Sequence, residues 1–208
     1  LTRPVPDPET TGLGKAENNI LRRNIEEAAA MAAMDYKIEV IVNDRGATTA
    51  VFAGQLAAAY AQAVALAKDV YAADPRPRDR DLVIANAFAK ANEMTIAVRV
   101  GLMALADVSN TLVVIANSPE GQVVHYLLGR FGRNYGGRQH PVATVPEGLD
   151  LIIQAPYLDK TFADWFSNPG AVTWTRNWQQ TRQILEPKFG PDTRAAVIPN
   201  ATMQYYDH

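Results

Sequence analysis

Four short, nearly continuous apolar runs, Leu82–Ala85, Thr111–Ala116, Leu149–Ile153 and Ala195–Ile198, alternate with stretches of helical periodicity, and this limits the fold more than any other feature of the chain. A run of four to six such residues without polar alternation suits a strand buried on both faces of a parallel sheet. Between the runs lie helical patterns at Met94–Val108, at Gln122–Gly132, and at Leu158–Phe166 followed by Thr173–Leu185. Parallel strands need long crossovers, and these are right-handed. The expectation is an α/β three-layer domain with a mostly parallel sheet of about four strands.

A different element precedes this one. In Asp35 to Ala72, Ile38, Val40 and Val42 alternate with Lys37, Glu39 and Ile41, as in a half-buried strand. Asn43-Asp44-Arg45-Gly46 supplies turn chemistry, and Thr48 to Phe52 resumes β-branched residues, which together predict a hairpin. After Gly54, apolar residues recur at Leu56, Tyr60, Val64, Ala67 and Tyr71, near a period of 3.6, and the alanines between them let such a helix lie close to a sheet. Upstream, Asn24 to Ala33 reads as a further helix. Residues 1–17, proline-rich and without periodicity, read as a linker or arm. The domain is expected over residues 18–208, with the hairpin-helix element at 18–73 and the parallel sheet at 79–208. The proline-broken stretch Asp74-Pro75-Arg76-Pro77-Arg78 divides the two. There is no internal repeat and no low-complexity tract.

Charge and cysteine content narrow the partners. A net charge of −2 and a pI of about 5.9 give no basic field to draw nucleic acid or an anionic membrane. No apolar run approaches the roughly 18 residues that span a bilayer, and the polar, proline-rich amino terminus does not read as a signal peptide. The absence of cysteine excludes disulfides, thiolate nucleophiles and thiolate metal ligands, and is compatible with the cytoplasm. The expected protein is soluble and cytoplasmic, with small molecules or proteins as partners.

Each of the four apolar runs ends in a carboxamide: Asn86, Asn117, Gln154 and Asn200. Ligands of open parallel sheets bind beyond the carboxyl ends of the strands, so the four amides mark a candidate face. The alternative is that each caps a helix or satisfies loop backbone. The loop from Asn86 through Lys90, Asn92 and Glu93 leads into a helix carrying Thr95, Ile96 and Arg99. Arg99 is placed to reach an anion near the helix start, unless it simply faces solvent. Gly12-Leu13-Gly14-Lys15 lacks the spacing of a phosphate loop and no strand precedes it. Arg130, Arg133, Arg138 and His140 around Tyr135-Gly136-Gly137 could clamp a phosphate or carboxylate, but a charge-rich surface loop is the preferred reading. His125, His140 and His208 lack metal-ligand spacing, so no metal site is expected from this chain.

The order DYKIEVIVNDRG, then VFAG, then a helix ending in AKDVY resembles the carboxy-terminal half of the nickel-pincer lactate racemase family. The resemblance spans about residues 18–200. It implies a chain that is part of a longer protein, a reading that the start at Leu1 rather than methionine also fits. It further implies hydride transfer on a 2-hydroxy acid through a nickel-pincer nucleotide. The tethering lysine and catalytic histidines would lie in an amino-terminal domain outside this chain, so no catalytic residue is expected here. Family members open the helix after the first sheet strand with a tyrosine-glutamine pair followed by a lysine that hold the substrate carboxylate. Those positions fall on Thr95, Ile96 and Arg99, so only the positive charge is kept. Asn177-Trp178-Gln179 resembles the family's glutamine-tryptophan-glutamine sequence and makes Trp178 a candidate pocket wall, the competing reading being a core tryptophan. Ala116 to Gly121, with Asn117, partly resembles the family's strand-end turn. The rival is a small-molecule-binding or structural α/β domain that has lost the chemistry. A nucleotide-binding enzyme ranks last, because Ala85 to Glu93 contains no glycine.

Overall fold

The computed structural model describes residues 9–12, 14–73, 77–123, 144–158 and 166–204. The patterns at Gln122–Gly132 and Leu158–Phe166 lie almost wholly outside these residues, as do the three histidines and the arginine-rich loop around Tyr135. The chain divides into two compact units, Leu1–Pro75 with Gln204–His208, and Arg76–Met203.

In the first unit, helix α1 (Ile20–Met31) begins at Asn19, whose carboxamide oxygen accepts from the N–H groups of Leu21 and Arg22. That cap satisfies donors a helix start otherwise leaves open, and it starts the helix earlier than Asn24. Strands β1 (Lys37–Val42) and β2 (Thr48–Gly54) form the antiparallel hairpin. The turn is held by Asn43, whose side-chain oxygen accepts from the N–H groups of Arg45 and Ala47, and Gly46 takes the φ of +77° that glycine tolerates. Helix α2 (Leu56–Tyr71) packs on the hairpin, with Ile41, Ala59 and Ala63 buried. Tyr71 Oη donates to the Val42 carbonyl at 2.7 Å and accepts from its N–H at 3.1 Å, tying the end of α2 to β1.

On β1 the faces are reversed from the expectation. The strand face turned from solvent is that of Lys37, Glu39 and Ile41, and Ile38 and Val40 stand outward, 71% and 49% exposed. The alanine-rich helix leaves room for the longer side chains: Lys37 pairs with Glu39 at 2.5 Å and lies 4.9 Å from the centre of the Tyr60 ring.

In the second unit, β3 (Leu82–Asn86), β4 (Thr111–Ile115), β5 (Asp150–Gln154), β6 (Val172–Thr175) and β7 (Ala195–Ile198) form one sheet in the order β6-β5-β4-β3-β7. Every pairing in it is parallel. The sheet has five strands because Val172–Thr175, expected at the start of a helix, is an edge strand. The helix proper, separated by Arg176, begins only after Asn177, whose side chain accepts from the Gln180 N–H at 2.9 Å. Val172, Thr173 and Thr175 are β-branched, and a pleated strand suits them better than a helix turn.

Among the described residues, two helices flank the sheet. Helix α3 (Met94–Leu102) packs on β3 and β4. It stops short of Val108 because the Ala104 N–H turns back to the Gly101 carbonyl and Leu105 bridges to Arg80. Helix α4 (Trp178–Leu185) packs against β5 and β6, and its Leu185 joins Leu82, Val113 and Ile152 in a buried cluster extended by Ile84, Ile115, Ile184 and Phe189. Among the described residues, no helix is long and apolar enough to cross a membrane.

At the amino-terminal edge, Arg194 forks onto Asp81 at 2.7 and 3.1 Å, and its own N–H donates to the same carboxylate. These hydrogen bonds, the side-chain ones foremost, hold the Asp81 carboxyl below its ordinary range. A depressed carboxyl contributes stability above its unfolded pKa and loses it as pH falls through the folded value. Asp81→Asn is therefore expected to be less stable than the parent at pH 7, by a gap that narrows as pH falls below the ordinary aspartate range, in chemical denaturation followed at several pH values. An unchanged gap across that range would show the pair to be energetically idle.

Candidate site at the carboxyl edge of the parallel sheet

The carboxyl ends of the five parallel strands bring together the loops after β3, β4, β5, β6 and β7. The loop after β3 turns through a 3-10 segment, Phe88–Glu93, broken at Lys90, whose φ and ψ of −127° and 55° are not helical. It is latched to the segment after β7. The Ala201 N–H donates to the Asn86 carbonyl at 2.8 Å, Thr202 Oγ1 donates to the Ala87 carbonyl at 2.7 Å, and the Lys90 N–H donates to Thr202 Oγ1.

Three of the four carboxamides are engaged within the unit itself. Asn86 accepts from the Phe88 N–H at 3.2 Å, an Asx turn. Gln154 accepts from Thr181 Oγ1, a fully buried hydroxyl that also shares a hydrogen bond with Thr175 at 2.7 Å. Asn200 meets Met203 and Thr202 within its own turn. Asn117 is exposed at the end of β4.

Helix α3 begins on this edge. Met94, Ala97, Val98 and Gly101 are buried, and Arg99 is exposed. Thr95 and Ile96 are half-buried, four and three residues before Arg99, the spacing that puts side chains on one helix face. Arg99 enters no ion pair among the described residues, whereas Lys90 and Glu93 lie 3.9 Å apart. Asn92 is half-buried, and its backbone carbonyl accepts from the Val123 N–H at 2.8 Å. Trp178, the first residue of α4, is 44% exposed and so is not a core side chain.

Two residues of this edge carry no signal of their own in the sequence. Gln122 is buried, its carboxamide donating to the Ala91 carbonyl at 2.7 Å and accepting from the Met94 N–H at 2.9 Å. It thereby caps α3 from a loop 28 residues further along, where Glu93 makes no side-chain cap. Phe88 is 52% exposed with φ +23°, a conformation that costs a bulky residue on the order of 1–3 kcal/mol. The Asx bond from Asn86 and the Thr202 latch over-determine it. The nearest sequence signal is the Asn86-x-Phe88 spacing of an Asx turn.

The first unit holds a groove of about 470 Å³ between α1 and α2, lined by Arg22, Glu26, Tyr60 and Lys68 among others. Arg22 stacks 3.7 Å from the centre of the Tyr60 ring while pairing with Glu26 at 2.9 Å. Lys68 pairs with Glu17, and the hydrogen bond keeps the Glu17 carboxyl below its ordinary range. Arg22 and Lys68 are thus each paired within the groove. Among the described residues, no three His, Cys, Asp or Glu side chains come together as a metal site requires.

Neither a protein-family model nor a curated protein matches this chain. Among solved structures, the lactate racemase apoprotein from Thermoanaerobacterium thermosaccharolyticum matches over 92% of this chain with a TM-score of 0.59 at 15% sequence identity. The match takes in 50% of that protein, so this chain spans about half its length. In its fold, then, the chain is similar to half of a lactate racemase.

Proposed function

We propose that the chain is the carboxy-terminal part of a nickel-pincer-dependent racemase or epimerase homologue acting on a 2-hydroxy acid, and that it forms one wall of a cleft closed by an amino-terminal domain. The observation that carries this reading is a match over 92% of the chain, too much for either compact unit to supply alone. The residues of the hairpin point to the same family by their sequence. The described residues offer no donor set for nickel, so no step through the metal is assigned to them. The nickel-pincer nucleotide is proposed to be held by the other domain.

What this wall supplies is binding. Arg99, exposed on α3 and without an ionic partner among the described residues, holds the carboxylate by charge-assisted hydrogen bonds. Thr95 and Ile96 stand beside it on the same helix face, and Trp178 offers a flat apolar wall. Lys90, Asn92, Glu93, Asn86 and Asn117 belong to the surrounding loops. A cytoplasmic location accords with the reading.

In the complete protein, about one nickel per polypeptide is expected. Arg99→Ala is expected to weaken 2-hydroxy acid binding about 10- to 100-fold, the loss typical of a hydrogen bond to a charged group. Nickel content and calorimetric titration check both. Unchanged affinity would remove Arg99 from the site. Binding without nickel would favour the rival, a small-molecule-binding domain that has lost the chemistry, for which Thr95 and Ile96 in place of the tyrosine-glutamine pair already argue.

A further inference from the structure

The outward face of the hairpin is apolar where a solvated strand face should be polar. Val40 stands directly across from Val51 and Ile38 from Ala53, and all four are exposed, Val51 by 60% and Ile38 by 71%. The polar pair of β1, Lys37 and Glu39, is on the opposite face toward α2. A two-stranded sheet is marginal in water by itself, and a face of β-branched residues raises its apolar exposure further. Within the described residues, neither strand has a second neighbour, so the edges are open as well.

We infer that this face is the docking surface for a further layer of the same polypeptide, an apolar sheet or helix surface from the proposed amino-terminal domain. The inference rests on the proposed function in taking that domain to exist, and it names the residues that receive it: Ile38, Val40, Val51 and Ala53. Size selects this occupant over a second copy of the chain. Strands of six and seven residues make a face about 20 Å by about 10 Å, so two copies face to face would bury roughly 400 Å², well short of the roughly 1,200 Å² of a stable interface. A covalently attached layer meets no such threshold, because its effective concentration is high. In the solved neighbour, a fold similar to this chain occupies 50% of the polypeptide, which leaves as much chain again to provide the layer.

This chain contributes no cysteine, so reactivity above that of the unsubstituted complete protein reports the introduced thiol. Val51→Cys and, as a second position on the same face, Ala53→Cys are made in the complete native-length protein and reacted with a maleimide. Asp69→Cys on the exposed side of α2 sets the rate of an open position. Thiols at 51 and 53 are expected to react at least about 10-fold more slowly than at 69, and to reach its rate once the protein is unfolded in urea. Equal rates in the folded protein would overturn the inference. So would protection that fades on dilution together with a dimer-to-monomer change in gel filtration, since a second copy would then be the cover. Failure of the racemase reading looks different: protected thiols in a protein without nickel keep the docking surface and remove the chemistry, whereas nickel and turnover with fast-reacting thiols do the reverse.

Discussion

Gly101→Val is expected to destabilise the Arg76–Met203 unit by about 1–3 kcal/mol, the usual effect of overpacking a dense core, and Gly101→Ala to destabilise it as well. For alanine the sign is the informative part. In an open helix, alanine in place of glycine gains about 1 kcal/mol of helix propensity. On α3, a Cβ at position 101 would come within 2.4 Å of Leu112 Cδ1 and 3.3 Å of the Ala85 Cβ, and both of those residues are fully buried. Leu112 must turn or α3 must lift from β3 and β4, and at interior packing densities neither has free space to use. Urea denaturation read by tryptophan fluorescence isolates this unit, because Trp165, Trp174 and Trp178 all belong to it. Leu112→Ala added to Gly101→Val should recover part of the loss, a coupling that a double-mutant cycle measures. If Gly101→Ala proves stabilising, helix propensity outweighs the close approach and the packing argument fails.

How far the sequence reveals this molecule depends on whether the deciding interaction is local. Asn43 and Gly46 announce the hairpin because their turn bonds lie within a few residues, and the apolar runs of β3, β4 and β5 announce a parallel sheet because burial on both faces leaves no polar alternation. Strand β7, expected to be buried likewise, is instead an edge strand with Val197 66% exposed. Strand β6 is masked by its continuity with α4: Thr173 to Thr175 runs without glycine or proline into the helical pattern, and Asn177 is the one sign that the helix starts later. On β1, alternation gives the strand but not the side that α2 covers, which is set by the fit of alanines against Lys37 and Glu39. At the carboxyl edge, the positions of Asn86, Gln154 and Asn200 are legible. Not all of their hydrogen bonds are, because Gln154 is engaged by Thr181, 27 residues further on. Asn86, by contrast, satisfies loop backbone through its Asx turn, a bond two residues long that its position after a strand allows.

Gln122 is the extreme case, and it yields the second large effect. Gln122→Ala is expected to cost about 1–3 kcal/mol for stranding the buried Met94 N–H, with a smaller loss at the part-buried Ala91 carbonyl. Both groups sit where the Phe88–Glu93 turn becomes α3, and Met94 itself is fully buried, so water is poorly placed to replace the lost partner. Gln122→Glu separates shape from hydrogen bonding. The carboxylate still accepts from Met94 but has no N–H for Ala91, and it brings a charge into a buried site, so it too should destabilise. The same denaturation experiment checks the stability of both variants. The proposed site adds a distinct consequence, because Thr95 and Arg99 lie close beyond the capped end, on the first two turns of α3. A frayed start to α3 would let Arg99 move off a bound carboxylate, and an ångström of misplacement is enough to weaken a directed clamp. Ligand affinity of the complete protein should therefore fall in Gln122→Ala under conditions where the protein remains folded. If stability falls and affinity does not, α3 orders the fold without positioning the ligand, and the carboxylate clamp has to be sought on another of the strand-end loops.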